Sequence, residues 1–313
     1  MRTEISFRLA FASLIAGAVG IAFAPLFVRW SEVGPGATAF YRLLLALPIL
    51  AACLACFPRR DPAQNSVLPA TPPTSPERPG LAAALPSDAR DLLALALPGF
   101  FFAGDLALWH WSIRLTSVAN ATLFANFAPI LVTIAARILF LERIRPLFLA
   151  GLLLASTGAI LVVGSSTSLT RRHVAGDLLG LATALFYAAY LLSVKHVRRR
   201  HPTLVVMLWS SLSACPVLAL VALLSGEVLI PHSALGWTVL VALALVSQIV
   251  GQGLIAFAFR HLPVSFSSVS LLTQPVVAAL LAWGLLGESL SPLQAMGGFV
   301  VLLGIGLASS ARS

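Results

Sequence analysis

Two charged residues sit where charge is expensive. Asp105, in FFAGDLALWHW, and Arg42, in FYRLLLALP, each lie inside a long apolar run. An ionisable group in hydrocarbon costs about 3 kcal/mol or more unless it meets a partner or water. At 1.5 Å per helical residue both fall roughly 10 Å below the same face of the membrane. They are therefore expected to form a depth-matched ion pair, or to place a protonatable carboxylate on a solute path. The competing reading is that Arg42 snorkels to the surface and Asp105 only bonds a neighbouring helix.

Other polar and aromatic residues recur at three- and four-residue spacing, which puts them on one face of a helix. Phe102, Asp105 and Trp109 form one such stripe. Thr122, Asn126, Pro129 and Thr133 form a second, and Thr183, Tyr187 and Tyr190 a third. Gln248 with Gln252, and Ser267 with Ser270 and Gln274, complete the set. Each alone is also what interhelical hydrogen bonding needs. Together they line a wet central cavity, with Phe102, Asp105, Trp109, Asn126, Tyr187, Tyr190, Gln248, Gln252, Ser270 and Gln274 as the expected substrate-binding residues. Aromatic walls with few charges suit a small amphipathic or zwitterionic solute. Pro129 and Pro275 each remove a backbone hydrogen bond in mid-span, either as gating bends or as static kinks.

The remaining reactive groups offer little chemistry. Cys53 and Cys56 lie in an apolar helix with no second pair and are expected to be packing thiols. His110, between Trp109 and Trp111, fits an interfacial aromatic belt. Glu142 and Glu288 are placed to cap turns. The chain contains no HExxH, Walker A or GxSxG pattern, so no enzyme activity, metal or cofactor is expected.

The elements that must position these residues are membrane helices. The 313 residues are 59% hydrophobic and 10% charged, far below the about 25% charged of a soluble domain. Ten apolar runs reach or approach the roughly 20 residues that a bilayer crossing takes. They fall near 9–29, 36–57, 91–112, 117–140, 146–164, 176–195, 202–224, 235–258, 264–286 and 292–309. Residues 59–90 are Pro-, Ser- and Thr-rich and read as a disordered linker. The first run is read as a retained span, not a cleaved signal.

A fixed register links the two halves. An offset of 146 carries Arg114 to Arg260, Pro129 to Pro275, Glu142 to Glu288, Pro146 to Pro292, Gly151 to Gly297 and Gly158 to Gly304. Earlier in each half the offset is 166 to 168, as in Arg29 to Lys195 and Pro35 to Pro202, so the linker is an insertion into a duplicated plan. Five spans per half is an odd number, and the second half must enter from the opposite side. The expected fold is thus all-α and integral to the membrane, with ten transmembrane helices as two inverted five-helix repeats, 1–165 and 166–313. With the termini in the cytoplasm, fourteen of the 20 Lys and Arg fall inside, four fall outside, and Arg42 and Arg137 lie within spans. That bias follows the positive-inside rule. It also accounts for the formal charge of +9 without a nucleic-acid partner.

Ten spans in two halves, each carrying Pro, twelve residues, Glu, then Pro and Gly (Pro129–Glu142–Pro146 and Pro275–Glu288–Pro292), resemble the EamA-type family of the drug/metabolite transporter superfamily. The resemblance covers the chain apart from the linker. It implies a bacterial inner-membrane carrier, often exporting amino acids or other small metabolites. It also implies a cavity built from the first, third, fourth, sixth, eighth and ninth spans. The expected function is alternating-access transport of a small-molecule substrate across the lipid bilayer, by a monomer or a homodimer. A passive channel or uniporter, and a membrane-embedded enzyme acting on lipid, are the alternatives from other classes.

Overall fold

The computed structural model describes residues 2–56, 85–115, 124–163, 171–287 and 290–311, and every regular element among them is helical. The first segment is α1 (Arg2–Ala22) and α2 (Ala24–Trp30), and the second is α3 (Pro35–Leu44) and α4 (Ala46–Cys56). Next come α5 (Ala89–Leu115), α6 (Ala128–Leu139), α7 (Pro146–Val163), α8 (Arg171–Val197) and α9 (Thr203–Leu224). The eighth segment runs through α10 (Ala234–Ala242), a π-helical stretch (Leu243–Gln252) and α11 (Gly253–His261). It is followed by α12 (Val264–Ser270), α13 (Thr273–Leu286) and α14 (Pro292–Ser310). Among the described residues eight segments are long and apolar enough to cross a membrane; Ala128–Leu139 and Pro146–Val162 are apolar but shorter. The Pro-rich linker falls largely on 57–84, and Glu288 and Thr122 also lie outside the described residues, as do the side chains of His110 and Arg114.

Local sequence explains most helix starts. Proline, with its fixed φ and no N–H to leave unpaired, sits in the first turn of α2, α3, α6 and α14. Ser291 and Gln294 close a reciprocal capping box on α14, Ser291 Oγ accepting from the Gln294 amide at 3.2 Å and Gln294 Oε1 from the Ser291 amide at 3.0 Å.

Other helix starts are capped from distant sequence. Glu142 accepts the Val264 amide at 2.8 Å, the Ser265 amide at 3.3 Å and the Ser265 hydroxyl, which fixes the start of α12. The turn role expected of Glu142 thus takes the form of a cap across the two halves. Glu32 does the same for α10, accepting from the His232 amide at 2.8 Å, the Ser233 amide at 3.0 Å and the Ser233 hydroxyl. Those donors, the Ser233 hydroxyl first, hold the Glu32 carboxyl below its ordinary value. Glu227 accepts the Gly36 and Ala37 amides at 2.8 and 3.2 Å and caps α3.

These bonds sort the turns into two ends. One end joins 31–34 to 225–233, helped by Gly34 N–H donating to Val228 O at 3.0 Å. The other joins the start of α5 to the α8–α9 turn through His201 Nε2 and Asp91 Oδ1 at 2.7 Å. At that same end Lys195 Nζ reaches Phe259 O and Leu262 O at 2.7 and 2.6 Å, and Arg145 Nη1 reaches Ala311 O at 3.1 Å. Arg198 Nε donates to Ala256 O at 2.8 Å. Burial, with Arg260 nearby, pushes its pKa down to about 10.

Packing follows the same exchange between halves. The third segment lies on the sixth, and the eighth on the first; the fourth lies on the sixth, and the ninth on the first. The fifth and tenth, α7 and α14, pack on each other more extensively than any other pair. Their contact is reciprocal. A Cβ on Gly151 would stand 2.7 Å from Gly304 O, and one on Gly304 2.7 Å from Gly151 O. A Cβ on Gly158 would stand 2.7 Å from Gly297 O, and one on Gly297 2.8 Å from Gly158 O. Only glycine allows backbones this close.

Candidate functional site

A cavity of about 270 Å³ lies where the segments of the two halves meet. That is near the lower end of the about 300–1,000 Å³ of small-molecule sites. Its walls near the 31–34 turn are apolar: Ile21, Ala22, Ala24, Pro25 and Val28 from the first segment, Pro35 from the second and Leu243 from the eighth. Arg42, Asp105, Asn126, Thr183, Tyr187, Gln252 and Gln274 supply polar groups to the lining, with Phe102, Leu106 and Trp109 among its other residues. Six segments of the set expected from the sequence reach it, and the second segment joins them through Pro35, Thr38, Ala39 and Arg42.

Of the ten expected binding residues, Phe102, Asp105, Trp109, Asn126, Tyr187, Gln252 and Gln274 line the cavity, with Pro275 beside Gln274. Tyr190, Gln248 and Ser270 lie behind it. Tyr190 is 3% exposed, donates its hydroxyl to Gln252 Oε1 at 3.0 Å and stacks on Phe102 with ring centroids 4.8 Å apart. Ser270 turns its hydroxyl back onto Phe266 O at 2.9 Å. Helical spacing gives the face of each residue but not whether a neighbouring helix covers it.

Arg42 and Asp105 both face the cavity, yet no direct ion pair joins them. The reason is geometric. Arg42 Nε donates to Gln248 Oε1 at 3.0 Å, and Gln248 Nε2 donates in turn to Ser211 Oγ at 3.3 Å. The guanidinium carbon lies 5.4 Å from the centre of the Phe102 ring, a cation–π distance. Arg42 is 7% exposed, so it does not snorkel. Its Nη2 has no hydrogen-bond partner, and neither do Asn126 Nδ2 and Gln274 Nε2.

Sequence reasoning missed the π-helical stretch that carries Gln248 and Gln252. Its wider turn is a feature often found at functional sites. A Cβ on Gly17 of α1 would stand 2.7 Å from Gly251 O, so the first segment lies directly against this stretch. The glycines at 17, 20 and 251 were the available signal.

The two mid-span prolines mark real interruptions. Residues 126–127 form a turn just before α6, and 271–272 form a turn between α12 and α13. Pro129 stands in the first turn of α6, and Pro275 is the third residue of α13. Both half-helices therefore begin at the level of the cavity.

At the end away from the 31–34 turn the helices are tied together. Phe11 and Phe7 pack on Phe266 at 5.5 and 6.2 Å between ring centroids. The Glu142 cap on α12 and the Lys195 bonds to α11 and Leu262 lie at that same end.

The family model for EamA-like transporters matches residues 8–164 and 174–310. This chain belongs to the EamA-like transporter family. It is 24% identical over 220 residues to the uncharacterized transporter YxxF of Bacillus subtilis (strain 168), covering 70% of each chain. An uncharacterized transporter of Archaeoglobus fulgidus is 27% identical over 216 residues, which cover 69% of this chain and 75% of that one. A solved crystal structure of a protein superposes with a TM-score of 0.75 at 18% identity, covering 98% of both chains, and shares the fold. As an EamA-family chain with multiple apolar spans, it is a multi-pass membrane protein of a transporter family.

Proposed function

We propose that this EamA-family protein is a secondary carrier that exports amino acids or similar small amphipathic solutes by alternating access. One observation carries the reading. A cavity with a partly polar lining lies among segments of both halves, and aromatic packing and helix-end bonds tie those segments together at the end away from the 31–34 turn. We read that packing as a seal on one approach to the cavity, the arrangement that alternating access uses and an open channel lacks. The apolar walls and polar groups of the lining suit a solute with a polar head and an apolar body.

The ten-span arrangement as two inverted repeats, 1–165 and 166–313, belongs to this proposal. It is supported by the two matched stretches of the family model, by the reciprocal glycines of α7 and α14, and by the exchange of packing partners between halves. We place the protein in a bacterial inner membrane with both termini cytoplasmic. The support is that the closed end gathers Arg143, Arg145, Lys195, Arg198, Arg199, Arg200 and Arg260, as the positive-inside rule asks of a cytoplasmic face. The cavity then faces outward. A small-molecule substrate, the bilayer and, for a dimer, a second copy of the chain are the partners.

Counterflow in proteoliposomes tests the carrier reading. Vesicles loaded with unlabelled amino acid should transiently accumulate labelled amino acid, with a saturable initial rate. A flux proportional to concentration, with no counterflow, would overturn it in favour of a channel.

A further inference from the structure

We infer that Arg42 is the carboxylate-reading residue of this cavity and that the solute enters head first, its carboxylate on Arg42 Nη2 and its cationic group on Asp105. This rests on the proposal that the cavity is a substrate site. Arg42 is 93% buried by complement of its 7% exposure. Its position is set on two sides, by the hydrogen bond to Gln248 and by the Phe102 ring. What is left over is one N–H edge, Nη2, without an acceptor. A buried charged donor with an unmet bond is costly to leave so. Nη2 itself is covered, and it belongs to a residue that lines the cavity.

The surroundings favour an anion at that edge. Asn126 Nδ2 and Gln274 Nε2 are also without acceptors and line the same cavity. Asn126 stands immediately before the interrupted start of α6, and Gln274 is the second residue of α13. The N-termini of these half-helices, twelve and fourteen residues long, each bring partial positive charge to the cavity. Donors and helix ends thus converge on an acceptor-rich group, and a planar guanidinium edge matches a carboxylate.

Asp105 completes the arrangement. It faces the same cavity and forms no ion pair with Arg42. A cationic group and a carboxyl group that share a cavity without a direct ion pair are both met by a ligand that carries a carboxylate beside an ammonium. The ligand's apolar body then extends along Ile21, Pro25 and Val28 toward the 31–34 turn. Arg42 is accordingly a specificity residue for the acid group, and Asp105 for the amine.

The test is binding to the purified full chain in detergent, read as thermal stabilisation. The probes are phenylalanine, leucine and methionine, each beside its α-amide and its decarboxylated amine. Wild type should bind at least one amino acid about tenfold or more tightly than the matching amide, the loss expected for a missing charge-assisted hydrogen bond. Arg42→Gln should erase that preference, with the amine bound at least as tightly as by wild type. Asp105→Asn should weaken amino acid and amide together and keep the ratio between them. Arg42→Lys, which keeps the charge and loses the planar edge, should recover only part of the preference. Monodisperse elution of each variant separates these effects from misfolding. The inference is overturned if no amino acid outbinds its amide in wild type, or if Arg42→Gln keeps the wild-type ratio. Binding that follows the prediction without counterflow in proteoliposomes would instead overturn the carrier reading and leave the assignment of Arg42 standing.

Discussion

Substituting Gly304 by alanine should loosen the seam between α7 and α14 by a calculable amount. The added Cβ would lie 2.4 Å from Ala155 N and 2.7 Å from both Ala155 Cα and Gly151 O. Ordinary contact starts at 3.4 Å, so the shortfall at the nitrogen is 1.0 Å. All three atoms are backbone, and none can rotate away. The helices must separate by about that distance, which forfeits a quarter to a half of the dispersion well at every contact along the seam. Overpacking of this kind costs about 1–3 kcal/mol, and a clash with backbone atoms alone belongs at the upper end. Alanine recovers about 1 kcal/mol of helix propensity, which leaves a net loss of about 2 kcal/mol. Gly306 is two residues on, in the same helix, and a Cβ there meets nothing within 4 Å. Gly306→Ala should therefore be neutral or stabilising by up to about 1 kcal/mol. The proposed inverted repeat adds a second demand: Gly158, whose Cβ would stand 2.5 Å from Val301 N, should respond as Gly304 does. Thermal unfolding in detergent, followed by tryptophan fluorescence, reads all three. If Gly304→Ala melts together with Gly306→Ala, the close-packed seam is wrong. If Gly158→Ala and Gly304→Ala differ widely, the reciprocity is.

Three further outcomes are expected. Pro129→Ala and Pro275→Ala should each slow turnover in proteoliposomes more than they weaken solute binding, and unchanged turnover in both would leave static kinks. Cysteine placed at Ala70 should be labelled only from the cytoplasm and at Ser168 only from outside, so labelling on the reverse sides would defeat the inverted-repeat topology. Glu32 caps α10 as a carboxylate, and the Ser233 and His232 donors hold its pKa below that of an ordinary glutamate. A depressed carboxyl contributes in full above its unfolded value and loses that contribution as pH falls through the folded one. The difference in melting temperature between wild type and Glu32→Gln should then be present at neutral pH and close as pH drops below 4.5. A difference that does not change with pH would refute the charged cap.

Much of this molecule is written in one dimension. Apolar run length and the scarcity of charge set the membrane class, because a bilayer admits only segments that bond their own backbone. The 146-residue register of Pro129 with Pro275 and Gly151 with Gly297 pointed to two related halves, since proline and glycine mark backbone geometry and not composition. Helical spacing also put Phe102, Asp105 and Trp109 on one face, and those residues do line the cavity.

What the sequence left open was which of several near neighbours each buried polar group would meet. Arg42 and Asp105 share a depth, which made a pair plausible, but depth says nothing about rotation around the helix axis. The fold brings Gln248 to Arg42 across 206 residues of chain, and the guanidinium bonds to that amide with no direct ion pair to Asp105. Tyr190 and Ser270 obey the same spacing as the lining residues and are covered by neighbouring helices all the same. The caps from Glu32, Glu142 and Glu227 span 122 to 201 residues, beyond any local motif. Local periodicity therefore determined which face of each helix is polar, and only the packing of one half against the other decided which polar groups were satisfied and which were left without a partner.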